Sequence, residues 1–264
     1  MIAKLVKHEA IKLFAQKYIY VLLALVVAVQ VARTLATAFT PPETTLDIVT
    51  GPQLWAEGVG LGLRFGMYLL LVVGAMALSQ EFSLGTVKTM LVLPIRRWQW
   101  VAAKLIFLAL FSLSLLLTLA VVGLVLVALT LGWGDVMLGE VVRYAESAVW
   151  RQIGLATALT FFFLLPMCAF SLWIGSLFSS SGAAVGTGLL SLLVLEFAGG
   201  LAGYENYLFI NTLHRPLAII VKMGKGLNFQ WGPLLTWGVG SSAVTLVALV
   251  AWVIWRIERM DITA

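Results

Sequence analysis

Residues 79–97 read SQEFSLGTVKTMLVLPIRR. The stretch falls between two apolar runs, each long enough to cross a bilayer, yet it keeps Leu84, Val87, Met90 and Leu91 at helical spacing. Ser83 can cap a helix over 84–92, and Pro94 would stop it. Lys88 and Thr89 fall off the apolar stripe. A helix this short is marginal alone in water, so contact with lipid or with protein has to hold it. Tied at both ends to membrane helices, such a segment could transmit a push. A loop resting its apolar side in lipid would show the same periodicity.

The flanking runs identify the solvent. Of 264 residues, 61% are hydrophobic and 11% charged, and the mean hydropathy is +1.03. Soluble domains carry about a quarter charged residues, so this composition reads as an all-α membrane protein. Six transmembrane helices are predicted at about 18–37, 60–79, 101–131, 153–178, 182–204 and 233–255. The third, at ~46 Å, exceeds the ~30 Å of hydrocarbon and should tilt or protrude. No repeat or low-complexity tract divides the chain, which reads as one transmembrane domain over 1–264. Ahead of the first span, Ile2, Leu5, Val6, Ala10, Leu13 and Phe14 share one face, while Lys4, Lys7, His8 and Lys12 take the other. Residues 1–16 therefore read as an interfacial helix rather than a signal peptide. Glu9 lies at its apolar edge, placed to meet a partner group instead of water.

With the N-terminus in the cytoplasm, ten Lys and Arg fall inside and seven outside, while four acidic residues fall inside and eight outside. That bias places both termini and the 79–97 segment in the cytoplasm of a cell (inner) membrane. Trp55, Trp133, Trp150, Trp231 and Trp237 would then mark the outer boundary, and Trp98, Trp100, Trp252 and Trp255 the inner one. Three outer segments remain: a loop at 40–58, a short amphipathic surface helix within 132–152, and 205–232, apolar enough at 217–221 to re-enter the membrane. The pI near 9.5 matches an anionic inner leaflet. No basic stripe interleaved with aromatics points to nucleic acid.

Charges inside the spans need partners. Arg64, Glu196 and Arg33 lie ~22, ~21 and ~24 Å above the inner ends of their spans. Their common depth predicts an ion pair between Glu196 and either Arg64 or Arg33; separate snorkelling to the headgroups is the alternative. Gly58, Gly60, Gly62 and Gly66, and again Gly199, Gly200 and Gly203, allow close helix contacts. Cys168 is the single cysteine, and His8 and His214 lie far apart in the architecture, so neither a disulfide framework nor a metal site is expected.

The 79–97 segment carries a family resemblance. Glu81, Gly85-Thr86-Val87-Lys88, Met90 or Leu91, Pro94-Ile95 and Arg96-Arg97 resemble the cytoplasmic motif of ABC-2 type transporter permeases, membrane subunits of ABC exporters. The resemblance implies that 84–92 is a coupling helix seated in a groove of an ATPase. Its partner-binding residues would be Leu84, Gly85, Thr86, Val87, Lys88, Met90 and Leu91, with Glu81, Pro94, Arg96 and Arg97 flanking. It also implies a type V exporter-like fold, two ATPase copies holding ATP and Mg, and a second permease copy, identical or paralogous. This chain would carry no cofactor and no catalytic residue, in keeping with its lack of G-x-x-x-x-G-K-[ST].

Three functions compete. An exporter permease with an amphiphilic cargo (drug, peptide antibiotic or lipid-linked molecule) fits a nearly uncharged interior. A subunit that does not transport, but drives an envelope partner with the same ATPase motion, would need larger outer segments. An intramembrane enzyme would need clustered nucleophiles, bases or carboxylates, and Glu196 is the sole acid deep in a span.

Overall fold

The computed structural model describes residues 2–40, 49–86, 96–138, 141–201 and 208–259. They form α1 (Ile2–Phe14), α2 (Lys17–Phe39), α3 (Gly51–Ser83), α4 (Arg97–Thr130), a hairpin of β1 (Val136–Leu138) and β2 (Val141–Tyr144), α5 (Glu146–Leu177), α6 (Ser181–Leu201), α7 (Phe209–Gly224) and α8 (Val239–Glu258). A π-helical turn, Leu234–Gly238, leads into α8. Six helices (α2, α3, α4, α5, α6, and α8 with its π turn) are long and apolar enough to cross a membrane. The architecture is that of a helical, multi-pass membrane protein. Helix α1, the end of α3, the start of α4 and the end of α8 meet at one end of the bundle, called here the terminal face.

The central helix is α3, which packs against α2, α4, α5, α6 and α7. It is 33 residues long and begins at Gly51, nine residues before the predicted span. Pro52 in the first turn sets that start, because its fixed φ suits a position where its missing N–H would have no partner. Residues 51–58 are thus helix, not loop, and Trp55 is buried at 1% exposure instead of marking a membrane boundary. Its indole Nε1 donates to the Ala120 carbonyl of α4 at 3.1 Å. Pro41 and Pro42 lie outside the described residues.

Close contacts rest on small residues. A Cβ on Gly62 would stand 3.2 Å from the Gln30 Cβ of α2, and one on Gly58 would collide with the Thr34 hydroxyl. That proximity lets the fully buried Gln30 donate to the Leu119 carbonyl at 2.7 Å. Gly175 of α5 meets rigid backbone instead, its virtual Cβ 2.5 Å from the Ala75 carbonyl oxygen of α3.

The surface helix predicted within 132–152 is instead the β1–β2 hairpin followed by the start of α5. Gly132 adopts φ +75° and breaks the run from α4, and the Val-rich strands favour extended backbone. Asp135 then accepts the Glu146 backbone N–H at 2.8 Å, fixing where α5 begins. The apolar part of 205–232 is a 16-residue amphipathic helix, α7. Residues 202–207, with Gly203, lie outside the described residues.

Candidate functional site

At the terminal face the chain gathers four charges, three of them buried and the fourth, Lys12, half-buried. Lys104, seven residues into α4, is 0% exposed. Its ammonium donates to Glu9 Oε1 of α1 at 2.6 Å, to Glu81 Oε1 of α3 at 2.9 Å and to the Ala77 carbonyl at 2.8 Å. All three ammonium protons are therefore used. Lys12 of α1 donates to the same Glu81 oxygen at 2.9 Å. Glu9 and Glu81 are 6% and 3% exposed. Two cations offset two anions, so the cluster is neutral, as burial demands. Lys104 also lies 5.2 Å from the centroid of the Trp100 ring. The cluster fastens α1 to the end of α3 and the start of α4.

Glu81 opens the 79–97 motif, and the structure commits it to this internal cluster. Ser83 belongs to α3, its hydroxyl donating to the Gln80 carbonyl at 2.9 Å, and does not cap a following helix. Leu84 and Gly85 form the turn that ends α3, Gly85 taking φ +65°, and Thr86 is again helical. Leu84 is 72% exposed. Val87, Lys88, Met90, Leu91 and Pro94 lie outside the described residues. Past them, the Arg96 backbone N–H donates to Gln99 Oε1 at 3.3 Å where α4 starts. Arg97 Nη1 donates to the Ile257 and Glu258 carbonyls at 3.0 and 2.9 Å, satisfying the end of α8. Arg256 does the same for α5 through Ser176 at 2.9 Å.

Between the membrane helices, toward the opposite end, Arg64 of α3, Glu196 of α6, and Asn211, His214 and Arg215 of α7 line a half-open pocket of about 300 Å³. Glu196 Oε2 accepts the Tyr68 hydroxyl at 2.9 Å. Arg64 and Glu196 face the same space, but no ion pair within 4.0 Å joins them among the described residues. Arg33 goes elsewhere: it pairs with Glu57 at 2.9 Å, and Gln53 donates to the other Glu57 oxygen at 3.0 Å. The expected Arg33–Glu196 pair is thereby replaced: Arg33, on an exposed flank of α2, reaches Glu57 in the second turn of α3. Gly199 makes room on α6, where a Cβ would collide with the Asn211 amide. Burial first, then the nearby Arg64, pushes the His214 pKa down to about 4, so this imidazole is neutral at pH 7. Its Nε2 is buried without a hydrogen-bond partner.

Two of these features escaped the sequence reading. Counting Lys and Arg on each side of the membrane ignores depth; a lysine seven residues into an apolar helix, as Lys104 is, is the signal that asks for a buried acid. In α7, Asn211, His214 and Arg215 follow i, i+3, i+4, a short polar stripe ahead of the apolar 217–221 run. No curated protein matches the chain. A family model described as a protein of unknown function (DUF2705) matches residues 53–263, which takes in everything from α3 onward, and the chain belongs to that family.

Proposed function

We propose that this protein is the permease subunit of an ATP-driven ABC-2 type exporter, working as a pair of permeases with two cytoplasmic ATPase subunits. Hydrolysis of ATP, with its Mg, takes place on those partners. Both termini lie in the cytoplasm of the cell membrane, and the cargo is amphiphilic.

One observation carries the reading: both flanks of the resembling motif are anchored in the bundle. On one side Glu81 is held by Lys104 and Lys12. On the other, Arg97 holds the end of α8 while Lys104 holds α1. A displacement by a partner would pass into α1, α3, α4 and α8, and a difference in contact energy between nucleotide states is what shifts inward and outward access. A loosely tethered loop would dissipate the same push.

Co-purification with the ATPase, together with cargo-dependent ATP hydrolysis in liposomes, tests this. Met90→Asp and Leu91→Asp place charge on the stripe and should abolish both. Unchanged co-purification and turnover in these variants would overturn it.

A further inference from the structure

The pocket between α3, α6 and α7 sets Arg64 and Glu196 on opposite sides without an ion pair between them. Arg64 is exposed well inside α3, thirteen residues or ~20 Å from its start. A charge at such depth costs ~2.5–3.5 kcal/mol unless it faces a partner or a cavity. Across the pocket, Tyr68 occupies one oxygen of Glu196. The buried Nε2 of His214 also lacks a partner. On α7 the stripe Ile210, Leu213, Leu217 and Ile220 is buried, which turns Asn211, His214 and Arg215 toward the space between the two charges.

A positive wall facing a negative one across a gap is complementary to a zwitterion. A purely anionic group would be repelled by Glu196, and a purely cationic one by Arg64 and Arg215. The surface beside the pocket selects the source of that zwitterion. Leu193 and Phe197, which flank Glu196 on α6, are exposed and apolar, so acyl chains can run along the helix while the head turns inward.

We propose that this pocket binds the head group of a zwitterionic phospholipid, its phosphate on Arg64 and its ammonium on Glu196. Asn211 and Arg215 supply further donors to the phosphate. The inference rests on the exporter reading only for the use made of the lipid, as cargo or as a regulator of the cargo path. Head-group binding itself needs no ATPase, so its failure and the failure of that reading are distinguishable.

Native mass spectrometry of the full chain in mild detergent tests it, with phosphatidylethanolamine and phosphatidylglycerol of identical acyl chains. Wild type should retain the ethanolamine lipid better, by up to ~5-fold, the upper end of what one exposed ion pair supplies. Glu196→Gln keeps an acceptor for Tyr68 and should bring the two lipids to parity. Arg64→Gln should weaken both, and Arg64→Lys should restore most of the binding. Equal retention of the two lipids by wild type, or an unchanged ratio in Glu196→Gln, overturns the proposal. Full displacement of the lipid by free phosphoethanolamine would show a soluble ligand and overturn the lipid assignment.

Discussion

Replacing Lys104 by methionine removes the one cation that meets Glu9 among the described residues. The alkyl stem is nearly preserved, so packing changes little and the charge effect dominates. Glu81 keeps Lys12 at 2.9 Å, whereas Glu9 is left buried and unpaired. Breaking a buried pair from one side costs about 3–5 kcal/mol. A stranded carboxylate can escape by taking up a proton, which for an ordinary glutamate at pH 7 costs about 3.7 kcal/mol. That is a ceiling on the charge contribution, and it falls by about 1.4 kcal/mol for each pH unit of acidification. Lys104→Met should therefore destabilise by about 3–4 kcal/mol at neutral pH, and visibly less at pH 5.5. Adding Glu9→Gln removes the stranded charge and should recover at least half of the loss. Equilibrium unfolding in mixed micelles of wild type, both single variants and the double variant closes the cycle. A Lys104→Met penalty below about 1 kcal/mol would show that the cluster contributes little to stability, contrary to the usual penalty for a broken buried pair. A double variant no better than Lys104→Met would show that the penalty lies in packing and not in charge.

Three further outcomes are expected. Gly175→Ala drives a methyl against the Ala75 carbonyl and should destabilise by about 1–3 kcal/mol, while Gly186→Ala, which meets nothing, should be neutral or gain up to about 1 kcal/mol; thermal unfolding in detergent compares them. His214 has a folded-state pKa of about 4, below the ~6.5 of an unfolded histidine, so the stability linked to it is complete above pH ~6.5 and lost as pH falls toward 4. His214→Asn should flatten the melting temperature across that window, and an unaltered pH slope would contradict the burial of the neutral ring. Trp55→Phe forfeits the bond to Ala120, whose carbonyl keeps its own helical partner within α4, with an expected loss of about 0.5–1.5 kcal/mol by denaturant titration; no loss would mean that the indole bond contributes nothing net.

Hydropathy locates all six long helices because each is apolar over more than a bilayer's thickness, and that property needs no knowledge of neighbours. Their ends are set by local groups that hydropathy does not weigh: Pro52 extends α3 outward, the positive φ of Gly85 ends it past Ser83, and Asp135 fixes the start of α5. The hairpin differs from the expected surface helix because VMLGEVVRYAESAVW satisfies helical spacing while its valines favour strands, and Gly132 decides between them. Depth along the helices brought Arg64 and Glu196 to a shared pocket. Depth says nothing about rotation, however, and α2 is too uniformly apolar to reveal which way Arg33 points, so its pairing with Glu57 could not be read. The same limit hid Lys104, since its buried site comes into being only when α1 folds across the ends of α3 and α4.

The coupling role of the segment ahead of Pro94 is tested most directly by a photo-crosslinking residue at Met90, in permease purified together with its ATPase and reconstituted in liposomes. Irradiation should join the permease to the ATPase, with a yield that changes when ATP is added. Adducts to lipid alone, or cargo movement by the permease without any ATPase, would contradict it.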